Sequence, residues 1–237
     1  MQTAIGLACA VGIFGLWLAS HIYGVLYFQL AGWNWFAAPP LILVQTWAFV
    51  GLFIVAHDAM HGSLAPGHRQ LSDAIGKALL LLYAGFGWTR LRAAHFEHHK
   101  HAGTGGDPDF DADHPDDFAR WYLTFLKRYF GPLSLIYVVA VTWGYILLAG
   151  VDPVNVTLFY GVPAIASSFQ LFYFGTYRPH RHEEAGFKDR HNARSLPYSW
   201  LASLCSCFHF GYHHEHHLTP SVPWWGLPAE YRARKGR

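Results

Sequence analysis

Histidines dominate the residues of this sequence that could do chemistry, and they are gathered in three short clusters. Of the 17 histidines, 11 lie within residues 57–61, 95–101 and 209–217. The spacing is i, i+4 in the first cluster and i, i+3, i+4 in the other two, which puts the side chains on one face of a helix. The histidines with these spacings are His57 and His61, then His95, His98 and His99, and finally His213, His216 and His217. Each cluster can therefore direct its imidazoles toward a common point.

Eight imidazoles at these spacings predict two metal ions. A zinc ion takes four ligands, or three and a water, so eight are too many for one site. Two metals with four or five ligands each would use about this number, and neutral imidazole suits iron, zinc, copper and nickel. The sequence also lacks the HExxH motif of zinc proteases. A di-metal site is the expectation.

A ninth ligand is expected, and three histidines remain open for the role. His180 ranks first because it follows an apolar segment and lies near the expected meeting point of the clusters. His191 ranks second. His209 ranks third, since it is i−4 to His213 and is expected on the same helical face.

Two polar residues beside these histidines are predicted to support the site. Asp58 follows His57 and could orient this ligand through its second ring nitrogen. Asn192 follows His191 and could hold a metal-bound water. Both are expected around the ligands and not as ligands themselves.

The elements that must position these residues are apolar. The chain is 52% hydrophobic and only 14% charged, whereas soluble domains are about 25% charged. Four apolar segments are long enough to be membrane spans, and three shorter segments are expected to be interfacial or re-entrant helices. The fold class is therefore an all-α integral membrane protein with four transmembrane helices and one domain over residues 1–237. The expected spans are 5–30, 40–56, 132–150 and 156–177, and the shorter helices are 75–88, 121–130 and 196–208.

The basic residues predict the orientation of these spans. All 17 Lys and Arg lie within residues 69–128 and 178–237, and none lies in the turns 31–38 and 151–154. The positive-inside rule then puts segments 57–128 and 178–237, with all three histidine clusters, on the cytoplasmic side. We expect a multi-pass protein of the cytoplasmic membrane. The net charge of +2 is too small to indicate a nucleic-acid partner.

An acidic loop over residues 107–117 has some likeness to a calcium-binding loop. However, Ala112 stands where the turn glycine belongs and Phe118 where the final glutamate belongs. We therefore expect no EF-hand here. The loop is predicted to be solvated and to cap or order the entrance of the metal site.

The motifs as a whole resemble a known superfamily. The order HxxxH, HxxHH, HxxHH is similar to that of the membrane fatty-acid-desaturase superfamily of di-iron enzymes. HDAMHGS, HAGTGGDPDFD, FGTYRPHR, DRHNARS and FHFGYHHEHHLTPSVPWWGLP narrow the resemblance to the bacterial β-carotene ketolases, the carotenoid 4-oxygenases. It covers residues 55–228. The one departure is Arg178, where an apolar residue is expected.

This resemblance implies an activity and its cofactors. Two non-haem irons would use O2 to hydroxylate the C4 methylene of a β-ionone ring twice, and loss of water would leave a ketone. β-Carotene would give echinenone and then canthaxanthin. The electrons would come from an external reductant such as a ferredoxin-like protein, because the sequence has no flavin or nicotinamide fingerprint and no cysteine set for an iron–sulfur cluster.

A carotenoid would enter from the membrane lipid, so aromatic side chains near the clusters are candidate channel walls. The same side chains could simply anchor the protein at the interface. The candidates are Tyr83, Phe86, Trp88, Phe110, Trp224 and Trp225. Four other functions remain open at this stage: an acyl-lipid desaturase or a carotenoid ring hydroxylase on the same scaffold, a membrane metal transporter, and a haem electron carrier.

Overall fold

The computed structural model describes residues 1–236, which form helices joined by turns and loops, with no strand among them. Arg237, the last residue of the expected domain and basic tail, lies outside the described residues. We number ten helices in chain order, and three of them contain π-helical turns. They are α1 (Gln2–Tyr27), α2 (Ala38–His61), α3 (Arg69–Ala84), α4 (Trp88–His101), α5 (Phe118–Tyr129), α6 (Pro132–Leu148), α7 (Pro153–His180), α8 (Trp200–Cys207), α9 (His213–Leu218) and α10 (Leu227–Lys235).

Three helices, α1, α2 and α7, are each long and apolar enough to cross a membrane. The fourth expected span corresponds to α6, which reaches the necessary length only together with α5, across a bend of 85°. Helix α2 is central, because nearly every side chain from residue 48 to residue 60 is buried. Its apolar side chains pack against both α1 and α7, which fixes the direction in which its last turn points.

The long helices have one end in common where the histidines gather. The side chain of Gln2, at the start of α1, donates a hydrogen bond of 2.7 Å to the carbonyl of Ser63, just after α2. At the opposite end, Asn155 near the start of α7 donates one of 2.8 Å to the carbonyl of Phe28, just after α1. The ends of α2 and α7 therefore lie together, and the turns 31–38 and 151–154 lie at the far end.

Glycines at residues 85 and 87 divide the expected helix over residues 75–88 into parts of two helices. Gly85 ends α3 with a left-handed backbone of φ 67°, which glycine adopts without strain. Gly87 is extended and α4 begins at Trp88. The consequence is that the whole second histidine cluster lies on one uninterrupted helix of 14 residues.

Helix α5 joins the site to the membrane-crossing part of the fold. Asp117 caps its first turn by accepting the backbone N–H of Arg120 at 3.0 Å. Its fully buried Trp121 packs edge-on against Phe172 of α7, with 5.9 Å between ring centroids. The helix ends at Tyr129, and the chain then turns sharply into α6, where Pro132 begins the next helix.

The chain before the third cluster departs from the expected helix over residues 196–208. Helix α8 covers only Trp200–Cys207, and both Phe208 and His209 have left-handed backbones, with φ 48° and 62°. This turn reverses the chain so that α9 starts anew at His213. The six-residue α9 is held over the ends of α2 and α4.

Candidate metal centre

Four helices deliver nine histidines to one end of the molecule. The C-terminal part of α2 and that of α4 contribute five of them, α7 contributes its final residue, and α9 contributes the other three. These nine side chains fall into two groups, and within each group one ring nitrogen per residue lies within 4.8 Å of all the others. The first group is His57, His61, His95, His99 and His216, and the second is His98, His180, His213 and His217.

The ring nitrogens within each group face one another. Nε2 of His61 lies 2.7 Å from Nε2 of His95, and Nε2 of His99 lies 3.0 Å from Nε2 of His216. In the second group, Nε2 of His217 lies 3.1 Å from Nε2 of His213. A neutral imidazole has one donor and one acceptor nitrogen, so several lone pairs in such a group have no proton to accept. A cation between them would satisfy all of them at once, which is the donor chemistry of a metal site.

The two groups are in direct contact. The rings of His99 and His217, one from each group, are stacked with 4.2 Å between centroids. His98 and His99 are consecutive on α4 and point into different groups. The i, i+3, i+4 spacing thus directs the histidines of one helix into two adjacent groups and not one.

Unpaired buried nitrogens support the same arrangement. Neither ring nitrogen of His57 has a hydrogen-bond partner, and Nε2 of His180 has none either, although both side chains are buried. Burial leaves such atoms costly unless something binds them. Burial, followed by the neighbouring histidines, holds the pKa of His95, His213 and His217 well below the usual 6.5. These imidazoles are therefore neutral and available as ligands.

An aspartate that sequence reasoning did not single out orients His98. Nδ1 of His98 lies 2.9 and 3.0 Å from the two carboxylate oxygens of Asp107. That carboxylate also accepts the backbone N–H groups of Gly103 and Asp109, each at 2.8 Å. Burial alone would lower the pKa of His98, but the charge and hydrogen bond of Asp107 raise it. The carboxylate accepts the Nδ1 proton of His98, and this hydrogen bond directs Nε2 toward the second group.

His180, the first-ranked candidate for the ninth ligand, is oriented in the same way by a backbone carbonyl. Its Nδ1 donates to the carbonyl oxygen of Asn192 at 2.7 Å, which leaves its unpaired Nε2 facing the second group. The side chain of Asn192 donates to the carbonyl of Ala102 at 2.8 Å. Asn192 therefore joins two loops and orients His180 through its backbone carbonyl; that it also holds a metal-bound water stays a prediction.

The prediction that Asp58 orients His57 is wrong. Its carboxylate lies 3.7 Å from Nδ1 of His57, too far for a hydrogen bond. Its other oxygen instead accepts the backbone N–H of Trp224 at 3.1 Å. Consecutive residues of a helix point in different directions, so Asp58 faces the chain after α9 and ties it to α2.

The two remaining candidates for the ninth ligand lie outside both groups. His191 is half-buried, and its ring centroid is 6.1 Å from that of His217. His209 precedes the start of α9, so the expectation that it lies on one helical face with His213 is wrong. Its ring stacks on Trp224, with 6.0 Å between centroids.

An apolar cavity of about 870 Å³, including its open mouth, adjoins the histidines. Its wall includes side chains of α2, α3, α4, α5 and α7, and most of them are apolar. Four histidines also line it: His57 and His95 of the first group, and His98 and His213 of the second. An apolar molecule in this cavity would therefore lie against both groups.

Of the six aromatic residues predicted to line a channel, Tyr83 and Phe86 line this cavity. Trp88 instead packs against Gly76 in the core, and Phe110 stacks on His182 with 5.2 Å between centroids. Trp224 contacts Phe208 and His209, while Trp225 packs near Gly6 of α1. For those four the prediction is wrong. The aromatic wall residues that were missed are Phe53, Tyr122, Phe125, Tyr129, Phe130 and Phe210.

The sequence is similar to known proteins over nearly its whole length. The family model described as "Fatty acid desaturase" matches residues 33–139 and 129–236. A protein of Paracoccus sp. (strain N81106 / MBIC 01143) named beta-carotene ketolase is 47% identical over 96% of this chain and 92% of its own. A second, from Paracoccus sp. (strain PC1) and with the same name, is 45% identical over 99% of this chain and 94% of its own. A zeaxanthin 4-ketolase of Chlamydomonas reinhardtii is 37% identical over 94% of this chain and 52% of its own.

Proposed function

The chain belongs to the fatty acid desaturase family, and on that premise we propose that it is a β-carotene 4-ketolase. It oxidises the C4 methylene of a β-ionone ring to a ketone by two successive hydroxylations and loss of water. β-Carotene gives echinenone, and the second ring gives canthaxanthin. The relatives named beta-carotene ketolase support this substrate, because they match almost all of this chain at 45% and 47% identity.

One observation carries the proposal most directly: the apolar cavity is walled by histidines from both groups. A β-ionone ring has no polar group, so apolar side chains must hold it and exclude water from it. Phe53, Ile54 and Leu171 provide such surface. A ring bound here would have its C4 edge close to His57 and His98, one from each group.

Two non-haem irons, one in each histidine group, would supply the activation of O2 that an unreactive C–H bond requires. The nine histidines fit that cofactor, since they offer neutral nitrogens with unpaired lone pairs. Asp107 and the carbonyl of Asn192 hold His98 and His180 with Nε2 directed at the second position. The remaining redox equivalents come from an external donor, for which a ferredoxin-like protein is the proposed class.

The membrane orientation follows from the charges. We take α1, α2, α7 and the bent α5–α6 pair as the membrane-crossing elements of a protein of the cytoplasmic membrane. The histidine end is proposed to face the cytoplasm, because all Lys and Arg lie in segments 69–128 and 178–237. A carotenoid dissolved in the lipid then reaches the cavity from the side, and the electron donor reaches the metals from the cytoplasm.

Expression in cells that accumulate β-carotene tests this function. The pigments extracted from cells with the wild-type gene are compared with those from cells with an empty vector. Echinenone and canthaxanthin, with their red-shifted absorption, are the expected products. Zeaxanthin would instead indicate a ring hydroxylase, and new double bonds in the membrane acyl chains would indicate a desaturase; either product without ketones contradicts the proposal.

A further inference from the structure

A second cavity adjoins the one that reaches the histidines. It encloses about 880 Å³, again including open space, and lies between the end of α3, the start of α4 and the bend from α5 to α6. Phe86, Leu91 and Tyr129 line both cavities. The two spaces are therefore neighbours that share these three side chains in their walls. We call the second one the cleft.

The cleft is formed largely by backbone and apolar atoms. Gly85, Gly87 and Gly131 line it, and a Cβ atom placed on Gly87 would meet no other atom within 4 Å. This absence of side chains leaves a passage that bulkier residues would fill. Gly85 and Gly87 flank Phe86 in the chain; Gly85 packs against Tyr137, whereas the space beside Gly87 is open.

The cleft opens on a surface that suits lipid. Pro132 and Leu133 of α6 lie at its mouth, and Leu133 is 80% exposed. The next turn of α6 continues this surface with exposed Leu135 and Ile136. Exposed apolar side chains on a membrane-crossing helix face hydrocarbon. The mouth is also at the 85° bend, where the amphipathic α5 meets α6, and so at the depth where lipid meets the interface.

The shape of a carotenoid requires such an opening. One ring must reach the histidines, while the rest of the molecule is a rigid, straight conjugated chain that cannot fold back into the same cavity. We propose that the cleft holds the polyene chain of a carotenoid whose ring lies in the histidine-lined cavity, and that the chain leaves between α3 and α6 into the lipid. This inference rests on the proposed function, because it takes a carotenoid as the substrate.

The three shared side chains mark the boundary between the cavity proposed for the ring and the cleft proposed for the polyene. The hydroxyl of Tyr129 donates to the carboxylate of Asp109, which fixes that ring as a wall. Leu91, another of the three, is buried. The ring centroid of Phe86 is 5.8 Å from that of Tyr83, and open space lies beside the neighbouring Gly87. Phe86 is therefore the side chain that rotates to admit the polyene. With one ring in the histidine-lined cavity, the narrow polyene, whose only branches are methyl groups, lies between these side chains and the second ring lies outside.

Substitution of Gly87 tests the cleft. Gly87 has φ −76° and ψ 117°, which any L-residue adopts. Gly87→Leu fills part of the passage, and Gly87→Trp, with its larger side chain, fills more of it. Gly12 of α1 is the matched control, since a Cβ there also meets no atom within 4 Å and the residue lines neither cavity. The variants are purified from membranes of β-carotene-producing cells, and we measure the β-carotene bound per chain, the ketone formed and the iron content.

We expect β-carotene binding and ketone formation to fall for Gly87→Leu and to fall by about tenfold or more for Gly87→Trp, with iron content unchanged. Gly12→Leu and Gly12→Trp should behave as wild type. Wild-type binding in Gly87→Trp overturns the inference. If Gly87→Trp does not accumulate in the membrane, Leu133→Trp at the exposed mouth is measured instead, with the same two outcomes. A wild-type protein that binds β-carotene but makes no ketone, with binding lost in the Gly87 variants, supports the cleft and contradicts only the proposed function.

Discussion

A hydrogen bond between His98 and Asp107 fixes the direction in which His98 faces the second histidine group. Both side chains are buried, and Nδ1 of His98 lies 2.9 Å from the nearer carboxylate oxygen of Asp107. The backbone N–H groups of Gly103 and Asp109 hold that carboxylate in turn. The acidic loop thus acts inside the site, because it sets the direction in which His98 presents its other nitrogen.

Replacing the carboxylate of Asp107 should weaken metal binding. Asp107→Asn keeps the size of the side chain but removes its charge, so we expect iron affinity of the second group to fall by about 10–100-fold. Iron per chain is measured after incubation with a graded series of chelator concentrations. Asp113→Asn, an exposed position in the same loop, is the control and should match wild type. Equal iron retention in Asp107→Asn and wild type would show that the hydrogen bond has no part in metal binding.

Removal of single histidines should abolish ketone formation. His57→Ala and His216→Ala each remove one nitrogen from the first group, and His98→Ala removes one from the second. We expect activity to fall by about 100-fold or more in each case, since an incomplete set leaves its metal weakly held. Pigment analysis in β-carotene-producing cells measures the loss, and the protein level in membranes shows that insertion is normal.

His68→Ala is the control for these variants, because His68 is exposed and belongs to neither group. It should retain wild-type activity. Near-normal ketone formation by any of the three other variants would exclude that histidine as a ligand.

Narrowing the histidine-lined cavity should block the substrate without loss of metal. Gly175 of α7 lines the cavity, and a Cβ there would lie 3.7 Å from Phe210, an ordinary contact. Gly175→Leu therefore folds but fills the space of the ring, and ketone formation should drop by about tenfold or more. Gly161→Leu, on the same helix but outside the cavity, is the matched control. The idea fails if both variants have the same activity and the same iron content.

Acid should destabilise the metal-free protein. Burial lowers the pKa of His95, His213, His216 and His217 well below 6.5 in the folded state. Below about pH 6.5 the unfolded chain takes up protons that these buried rings cannot, so the free energy of unfolding decreases as the pH falls. Above this pH these four rings are neutral in both the folded and the unfolded chain, and their effect disappears.

Thermal unfolding of metal-free protein in detergent between pH 8 and pH 5 measures this dependence. The midpoint should be flat from pH 8 to about pH 7 and then decrease. His68→Ala should give the same profile as wild type because His68 is exposed. A midpoint that rises on acidification would contradict neutral, buried histidines.

Much of the centre could be predicted from the sequence because its spacing is local. The i, i+4 and i, i+3, i+4 patterns are properties of a helix, so they identified the eight histidines that lie together with His180. The relation of His98 to Asp107 was missed because it depends on a turn of five residues, 102–106, whose shape the sequence pattern does not reveal. Its signal was present in the glycines before an aspartate that accepts backbone N–H groups.

The errors concern Asp58, His209 and the aromatic residues, and each has a physical reason. Asp58 was assigned to His57 from adjacency alone, although neighbouring helical residues point apart. His209 was assigned to a helix that the left-handed backbone at Phe208 and His209 interrupts. The wrong aromatic residues, such as Trp88 and Trp224, lie near the histidines along the chain but are used for packing. The cavity wall depends instead on contacts between distant helices, which no local pattern contains.

The iron content of the wild-type protein tests the central claim most directly. Protein is purified under anaerobic conditions from iron-replete cells, and iron and zinc per chain are measured by elemental analysis. Two histidine groups in contact predict about two irons per chain. One iron per chain, or zinc with no iron under these conditions, would contradict a di-iron centre.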